Sequence, residues 1–175
     1  MSQQAGIIVG GGLVGLTLAL ALHRVGIKTR VYETVPEILP LGVGVNLLPH
    51  SIQSFEKLGL LDDLRDVAIE TSSLNYFTED GKTIWQEPRG LSAGYSVPQL
   101  SIHRGDFHMI LLKHVKDRLG EDAVYQNHRF TSFDQDENQV TAHFTNHDGS
   151  ETQSSVTADF LIGADGINSR LRKIF

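Results

Sequence analysis

The chain is organised around the stretch from Ala5 to Glu33, AGIIVGGGLVGLTLALALHRVGIKTRVYE. Its apolar, β-branched start predicts a buried strand at Gly6–Val9. A glycine cluster follows, then an uncharged helical segment to His23, then a second strand at Lys28–Tyr32. A strand, a tight turn, a helix and a second strand are the opening of a parallel α/β sheet.

The glycines follow the spacing Gly10-x-Gly12-x-x-Gly15. In dinucleotide-binding proteins the first glycine permits the turn, the second lets the backbone approach a pyrophosphate, and the third lets helix pack closely on strand. The helix that begins near Leu13 offers free N–H groups and a positive dipole end to phosphates. We therefore expect Gly10, Gly12, Leu13 and Gly15 to hold a pyrophosphate.

Glu33 follows the second strand, 23 residues after Gly10. A carboxylate at this distance accepts hydrogen bonds from the ribose hydroxyls of an adenosine. Because an acid disfavours a 2′-phosphate, the expected ligand is FAD or NAD rather than NADP. We expect the Glu33 carboxylate to serve the ligand and to contribute little to the stability of the unliganded protein. The alternative is a glycine-rich turn without a ligand, but strand, helix and acid together favour a dinucleotide site.

The composition restricts the function further. The chain has 175 residues, 40% of them hydrophobic and 21% charged, which is ordinary for one globular domain. Its net charge of −6 argues against nucleic acid or an acidic membrane as a partner. Because it has no cysteine, disulfides, thiol chemistry and thiolate metal sites are excluded, and redox function requires a bound cofactor.

Three other patterns carry no function. Ala5–Leu22 is uncharged, but no basic segment precedes it and glycines interrupt it, so we expect no membrane partner and a cytoplasmic protein. No pair of the eight histidines has a recognised ligand spacing, so we expect no metal. No serine has a nucleophile-elbow context, so hydrolase chemistry is unsupported.

The rest of the chain combines helices with antiparallel strands. An irregular stretch is expected at Pro36–Pro49, and the turns Asp80-Gly81 and Asp148-Gly149 predict two β-hairpins in an inserted antiparallel sheet. The flanking elements that we expect are helices at His50–Leu58 and Leu61–Val67, hairpin strands at Leu74–Thr78, Lys82–Gln86, Val140–Thr145 and Thr152–Thr157, a strand at Leu100–Ile102, a helix at Asp106–Leu119, a buried strand at Ala158–Ile162 and a short helix from Ser169.

Four ordered segments resemble the FAD-dependent aromatic hydroxylases, the single-component flavoprotein monooxygenases. They are GGGLVG with Glu33, LGVGVNLLPHSIQSFEKLGL, SIHRGDFHMILL and FLIGADGINSRLR, of which the second and third most resemble the phenazine-hydroxylase branch, near the salicylate hydroxylases. The resemblance implies an α/β, Rossmann-like FAD-binding fold, a parallel sheet with helices, carrying an inserted antiparallel β-sheet. The inserted hairpin region would span about residues 71–102.

The resemblance also implies roles for residues outside the first motif. Arg104 resembles the family arginine on the ribityl and phosphate side of the flavin, where a cationic fork suits anionic oxygen. Asp165 resembles the second acidic position, near the cofactor phosphates and the incoming nicotinamide nucleotide. Gly44 and Val45 would border the isoalloxazine ring through their backbone. A surface arginine and an ordinary helix cap are the alternatives for Arg104 and Asp165, and no residue is assigned a catalytic role.

Members of this family are roughly twice as long, so residues 1–175 would be a truncated FAD-binding domain without much of the substrate pocket. In the whole enzyme NAD(P)H is the co-substrate, FAD is the cofactor and a small aromatic compound is hydroxylated. We expect this chain alone to bind FAD or its adenylate half without completing hydroxylation. Exposed apolar surface would favour a homodimer or larger assembly.

Two other functions are compatible with the first motif alone. A non-catalytic remnant, or one half of a split protein, would keep the fold without the activity. An NAD-dependent dehydrogenase domain would share the glycine turn, but the hairpins and the Gly-Ala-Asp-Gly loop argue against it.

Overall fold

The computed structural model describes residues 5–150 and 154–175, which divide into two compact units. The first unit lies within residues 1–39 and 111–175, and the second is residues 40–110. The elements to the middle of the chain are β1 (Ala5–Val9), α1 (Leu13–Arg24), β2 (Lys28–Tyr32), β3 (Gly44–Leu47), α2 (Pro49–Lys57), α3 (Leu61–Val67), β4 (Ile69–Thr71), β5 (Ser73–Phe77), β6 (Thr83–Pro88) and β7 (Gln99–His103). They are followed by α4 (Arg104–Leu119), β8 (Val124–Tyr125), β9 (Arg129–Gln135), β10 (Val140–Thr145), β11 (Ser154–Ala158), β12 (Phe160–Gly163) and α5 (Leu171–Ile174).

A parallel sheet in the order β12-β1-β2-β8 forms the centre of the first unit. In β1, Ile7, Ile8 and Val9 are buried on both faces of the sheet, as the apolar run requires when a parallel strand is covered on each side. The strand predicted at Lys28–Tyr32 has these bounds in the structure. The α/β fold with a parallel sheet is therefore confirmed.

Helix α1 covers one face of this sheet. Its buried residues Leu16, Ala19 and Leu20 recur at helical spacing and form one apolar stripe. Its last turn gives way to Gly26, whose φ of +82° suits glycine and stops the helix before β2. The uncharged segment thus forms strand β1 and helix α1. No helix among residues 5–150 and 154–175 is long and apolar enough to cross a membrane.

The opposite face is covered by an antiparallel sheet of the order β11-β10-β9. Phe130, Ala142 and Phe144 of this sheet form one core cluster with Ile7, Val9 and Tyr32 of the parallel sheet. The Tyr32 ring stacks between Tyr125 and Phe144, with centroids 4.9 and 4.6 Å away. Burial raises the pKa of the Tyr32 phenol, so this side chain is neutral in the core.

The second unit contains a three-stranded antiparallel sheet and a separate hairpin. The sheet has the order β3-β7-β4, and β5 pairs with β6 across the predicted Asp80-Gly81 turn. Helix α2 packs through Phe55, whose ring meets that of Phe107 edge-on at 5.1 Å. Gly59, with φ +67°, lies just beyond the end of α2.

Four features of the fold differ from the sequence-based expectations. The stretch predicted as irregular contains β3, because pairing with the distant β7 orders it. The two hairpins lie in separate sheets rather than in one. Helix α4 begins at Arg104 rather than Asp106. The strand predicted at Ala158–Ile162 is two strands separated by Asp159, and Phe160–Ile162 are only partly buried.

The remaining predicted elements agree with the structure within a few residues. Helix α3 has the expected bounds, α5 begins two residues after Ser169, and β10 pairs with β11 as the second hairpin. Residues 152 and 153 of the predicted hairpin strand lie outside the described residues.

Candidate dinucleotide-binding site

The glycine turn is held by backbone contacts with two neighbouring strands. Gly10 has φ +108°, a value that side chains rarely tolerate, and its N–H donates to the carbonyl of Tyr32 at 2.8 Å. The N–H of Ala164 donates to the carbonyl of Val9 at 2.7 Å. A Cβ on Gly10 would overlap the Ala164 carbonyl, so the turn closes only with glycine at this position.

Gly15 and Gly12 are glycines for different reasons. A Cβ on Gly15 would overlap the carbonyl oxygen of Gly10, so Gly15 lets α1 lie directly on the turn. A Cβ on Gly12 would meet no protein atom within 4 Å, and Gly12 has φ −75° and ψ −174°, which any residue adopts. Neither the surrounding residues of the described protein nor the backbone conformation therefore requires glycine at position 12. An open position above the first turn of α1, which begins at Leu13, fits the approach of a pyrophosphate.

Glu33 contacts the same turn through its carboxylate. Its Oε2 accepts a hydrogen bond from the N–H of Gly11 at 2.6 Å, and its Oε1 accepts one from the N–H of Val35 at 3.0 Å. Backbone hydrogen bonds of Glu33 to Tyr125 and His128, both 2.8 Å, fix its position at the carboxyl end of β2. These hydrogen bonds argue against the expectation that Glu33 contributes little to the stability of the unliganded protein.

Four of the residues predicted in this unit line a single cleft of about 350 Å³. They are Gly10, Gly12, Glu33 and Asp165, while Gly15 lies on Gly10 and Leu13 opens α1. The sequence interpretation missed other residues that line this cleft, which are Thr34, Arg129, Phe130, Asn168 and Arg170. Arg170 and Asn168 could have been predicted from the sequence, since they closely follow the Gly-Ala-Asp-Gly loop. Arg129 gives no local signal, because only the pairing of distant strands brings β9 here.

Asp165 caps the start of helix α5. Its Oδ2 accepts hydrogen bonds from the N–H groups of Arg170 at 2.7 Å and Leu171 at 3.1 Å. Partial burial raises the pKa of the Asp165 carboxyl, but hydrogen bonds from Ser169 and from these backbone N–H groups outweigh it and hold the pKa below its usual value. Asp165 is thus ionised at neutral pH, both as a helix cap and as part of the cleft wall.

The other three predicted residues lie together in the second unit. Gly44 pairs with His103 and Val45 with Ile102 where β3 meets β7, and the N–H of Arg104 donates to the carbonyl of Val43 at 2.9 Å. A Cβ on Gly42 would lie 2.9 Å from the Cβ of Arg104, so the irregular stretch passes close to the start of α4. Arg104 is the first helical residue and is exposed.

One further polar cluster lies on the solvent side of the antiparallel sheet. The His143 ring contacts the Asp134 carboxylate through Nε2 and the Ser155 hydroxyl through Nδ1, both at 2.8 Å. These residues are on three adjacent strands and none of them lines the cleft, so we interpret the cluster as cross-strand pairing. In the described part of the chain, no three His, Asp or Glu side chains are grouped to hold a metal ion.

Comparison with known proteins identifies the family. The family model described as an FAD binding domain matches residues 3–175. The chain belongs to this FAD-binding domain family. The glycine turn, the open position at Gly12 and the acid at the end of β2 fit the adenosine diphosphate half of FAD.

The curated relatives are hydroxylases of the predicted kind. A phenazine 1,6-dicarboxylic acid hydroxylase of Lysobacter antibioticus is 41% identical over 167 residues, which are 95% of this chain and 41% of the relative. A salicylate hydroxylase of Pseudomonas putida is 35% identical over 174 residues, 94% of this chain and 36% of the relative. The FAD-binding domain described here thus spans about two fifths of the length of the relatives it matches.

Solved structures of a monooxygenase and of a protein complexed with FAD share the fold. The p-nitrophenol 4-monooxygenase of Pseudomonas putida DLL-E4 matches with a TM-score of 0.84 and 25% identity, over 97% of this chain and 42% of that protein. Klebsiella pneumoniae HpxO, complexed with FAD and uric acid, matches with a TM-score of 0.75 and 26% identity, over 94% of this chain and 40% of that protein. The predicted Rossmann-like FAD-binding fold is confirmed.

Substitution of the two glycines separates ligand contact from fold. Gly12→Ala places a methyl group in open space, so we expect the free energy of unfolding to change by less than about 1 kcal/mol. The same methyl group obstructs a pyrophosphate, so affinity for FAD should fall at least about tenfold, or 1.4 kcal/mol. Gly15→Ala is the matched control and should destabilise the unliganded protein by about 1–3 kcal/mol, because its Cβ overlaps Gly10. Urea unfolding and calorimetric titration measure both quantities, and equal destabilisation by the two variants would contradict the assignment.

Removal of the Glu33 carboxylate should affect stability as well as binding. Glu33→Ala leaves the N–H groups of Gly11 and Val35 without their acceptor, so we expect the free energy of unfolding of the unliganded protein to fall by about 1–2 kcal/mol. Glu33→Gln keeps one acceptor oxygen and should lose less. Affinity for ADP-ribose should fall by about 1–3 kcal/mol in Glu33→Ala, because a charged partner of the ribose is lost. An unliganded Glu33→Ala protein as stable as the wild type would show that the carboxylate does not order the turn.

Proposed function

We propose that this chain holds FAD through its adenosine diphosphate half, and that it is the FAD-binding domain of an NAD(P)H-dependent aromatic monooxygenase. The observation that carries the proposal is the open position at Gly12, beside the first turn of α1 and the carboxylate of Glu33. The described protein does not itself require glycine there, whereas a close-approaching pyrophosphate does.

Each half of the cofactor is assigned to one group of residues. Gly10, Gly12, Leu13 and Gly15 bind the pyrophosphate, and Glu33 binds the adenosine ribose. The Glu33 oxygens each accept one backbone N–H, and each retains a second lone pair for a ribose hydroxyl. In the second unit, the backbone of Gly44 and Val45 borders the flavin ring, and Arg104 contacts its ribityl and phosphate side.

The chemistry of this function comes from the cofactor. When bound, FAD takes up reducing equivalents from NAD(P)H and supplies the oxygen chemistry that hydroxylates an aromatic ring. The protein binds and orients the cofactor. We place Asp165, ionised and in the same cleft, near the cofactor phosphates and the incoming nicotinamide nucleotide. The names of the relatives, hydroxylases of a phenazine dicarboxylic acid and of salicylate, support a small aromatic acid as the substrate class.

We also propose a cytoplasmic location, because the proposed activity draws on the cytoplasmic pool of NAD(P)H. No feature of residues 5–150 and 154–175 favours a dehydrogenase domain or a non-catalytic remnant over this function. Residues 1–175 act as one FAD-binding domain, with the hairpin region at about 71–102 inserted in it.

Titration of the cofactor and of its fragment tests the proposal directly. We expect the 175-residue chain to bind both FAD and ADP-ribose in calorimetry, more weakly than a full-length relative binds FAD. Both ligands should bind because the residues proposed to contact the adenosine half lie within the first unit. Absence of heat with either ligand at millimolar concentration would reject the proposal.

An activity measurement separates cofactor binding from hydroxylation. The 175-residue chain, supplied with FAD, NAD(P)H and O2, should give no oxygenated product from salicylates, hydroxybenzoates or phenazine carboxylates. Oxygen transfer needs exclusion of water and a fixed substrate geometry, and we expect the residues of this chain not to provide them alone. Mass spectrometry detects a product with one added oxygen. Such a product, lost in Gly12→Ala, would show that this chain contains the complete site.

The exposed hairpin supports association of the chain with a second copy. Tyr76, Phe77, Ile84 and Trp85 of β5 and β6 are each more than half exposed, with Ile84 at 64%. Large exposed apolar side chains concentrated on one hairpin often mark a contact with another chain. We expect a dimer or larger assembly in light scattering, and Trp85→Ser with Phe77→Ser should shift it to the monomer. A monomeric wild type at high concentration would contradict the association.

A further inference from the structure

The charged groups that line the cleft differ in how many hydrogen bonds they already make within the protein. The cleft contains two carboxylates, Glu33 and Asp165, and two guanidinium groups, those of Arg129 and Arg170. Both carboxylates already accept hydrogen bonds from backbone N–H groups. Because the whole chain carries a net charge of −6, an anionic ligand needs local positive charge to stay in this cleft.

Arg170 is held in place by one backbone and one side-chain hydrogen bond. Its backbone N–H donates to Oδ2 of Asp165 at 2.7 Å, and its Nε donates to the carbonyl of Thr131 at 3.0 Å. These contacts fix the plane of the guanidinium beside the first residues of β9. A guanidinium has five N–H donors, so four remain on its two terminal nitrogens.

Arg129 reaches the cleft from a strand that is anchored in the core. It is the first residue of β9 and pairs with Thr145 of β10. The next residue, Phe130, is buried in the core cluster, with 4% of its surface exposed. The side chain of Arg129 is therefore exposed on a backbone that cannot shift freely.

Neither guanidinium is neutralised by the described protein. Among residues 5–150 and 154–175, no carboxylate oxygen lies within 4 Å of the guanidinium nitrogens of Arg129 or Arg170. In contrast, Arg89 pairs with Glu87 and Arg65 with Glu70. A fixed guanidinium without a protein carboxylate is suited to bind phosphate oxygens in a bidentate manner.

We infer that Arg129 and Arg170 recognise the pyrophosphate of the bound adenosine dinucleotide, opposite the N–H groups at the first turn of α1. The inference rests on the proposed function, to which it adds the cationic side of the site. The glycine turn provides neutral donors, and the two arginines provide the charge that the turn lacks. They discriminate ligands with phosphates from the nucleoside alone, whereas Glu33 acts on the ribose that both contain.

The test compares ADP with adenosine as probes of the 175-residue chain. In calorimetry, Arg129→Gln and Arg170→Gln should each weaken ADP binding about tenfold or more, the range for a charged hydrogen-bond partner. Adenosine binding should stay within about twofold of the wild type, because it has no phosphate. The dependence of ADP affinity on salt should become less steep in both variants, since a screened charge pair is lost. Arg24→Gln is the matched control, an exposed arginine at the end of α1 outside the cleft.

The outcomes separate this inference from the proposed function. ADP affinity like that of the wild type in either glutamine variant overturns the inference for that arginine. Equal loss of ADP and adenosine binding also overturns it, because the arginines would then act on the fold or the nucleoside. If Arg170→Gln does not fold in thermal unfolding, Arg170→Lys is used, which keeps the charge and should bind ADP between the wild type and Arg129→Gln. A wild-type chain that binds neither ADP nor adenosine rejects the proposed function itself.

Discussion

The site depends on the close approach of three backbone segments, at Gly10, Gly15 and Ala164. Gly10 turns the chain with a positive φ, and Gly15 of α1 and Ala164 after β12 both lie against it. No side chain fits at Gly10 or Gly15, so the approach is a steric requirement on the sequence. It brings the N-terminus of α1 and the carboxyl ends of β1 and β12 to one place, where a parallel sheet presents its ligand.

The core on the other side of the sheet fixes the acid of the site. Tyr32 is stacked between Tyr125 and Phe144, and the next residue along β2 is Glu33. Because Tyr32 is buried, the backbone of Glu33 leaves the core at a fixed point, and hydrogen bonds to Tyr125 and His128 hold it there. The position of the carboxylate that we propose for the ribose is thus set by the packing of aromatic side chains in the core.

Features encoded within a few neighbouring residues were predictable from the sequence. The turn with Gly10, Gly12 and Gly15, the strand β2, helix α3 and the Asp80-Gly81 hairpin all follow from local spacing and turn chemistry. The role of Glu33 in the ligand site has such a signal too, through its distance from the turn. The family could be named from four such segments, and the comparisons confirm it.

Features created by pairing between distant segments were not predictable. Strand β3 lies in a stretch rich in proline and glycine, and only its partner β7, more than fifty residues later, makes it a strand. Arg129 reaches the cleft because β9 packs on the parallel sheet, and nothing near Arg129 in the sequence indicates a ligand. The spacing between the glycine turn and Glu33 indicated a ligand contact. It gave no sign of the hydrogen bond from the N–H of Gly11 to the Glu33 carboxylate.

The double role of Glu33 links cofactor binding to the stability of the turn. Its carboxylate accepts the N–H of Gly11 in the absence of a ligand. The conformational entropy of the turn is therefore lost on folding rather than on binding. A ligand that binds the ordered turn stabilises the folded state further, by RT ln(1 + [L]/Kd). The surface that we propose for the adenosine half lies within a single unit, and is built from the glycine turn, α1 and the ends of β2 and β12. Because these contacts need no residue of the second unit, affinity for the adenosine half is separable from whatever encloses the flavin ring.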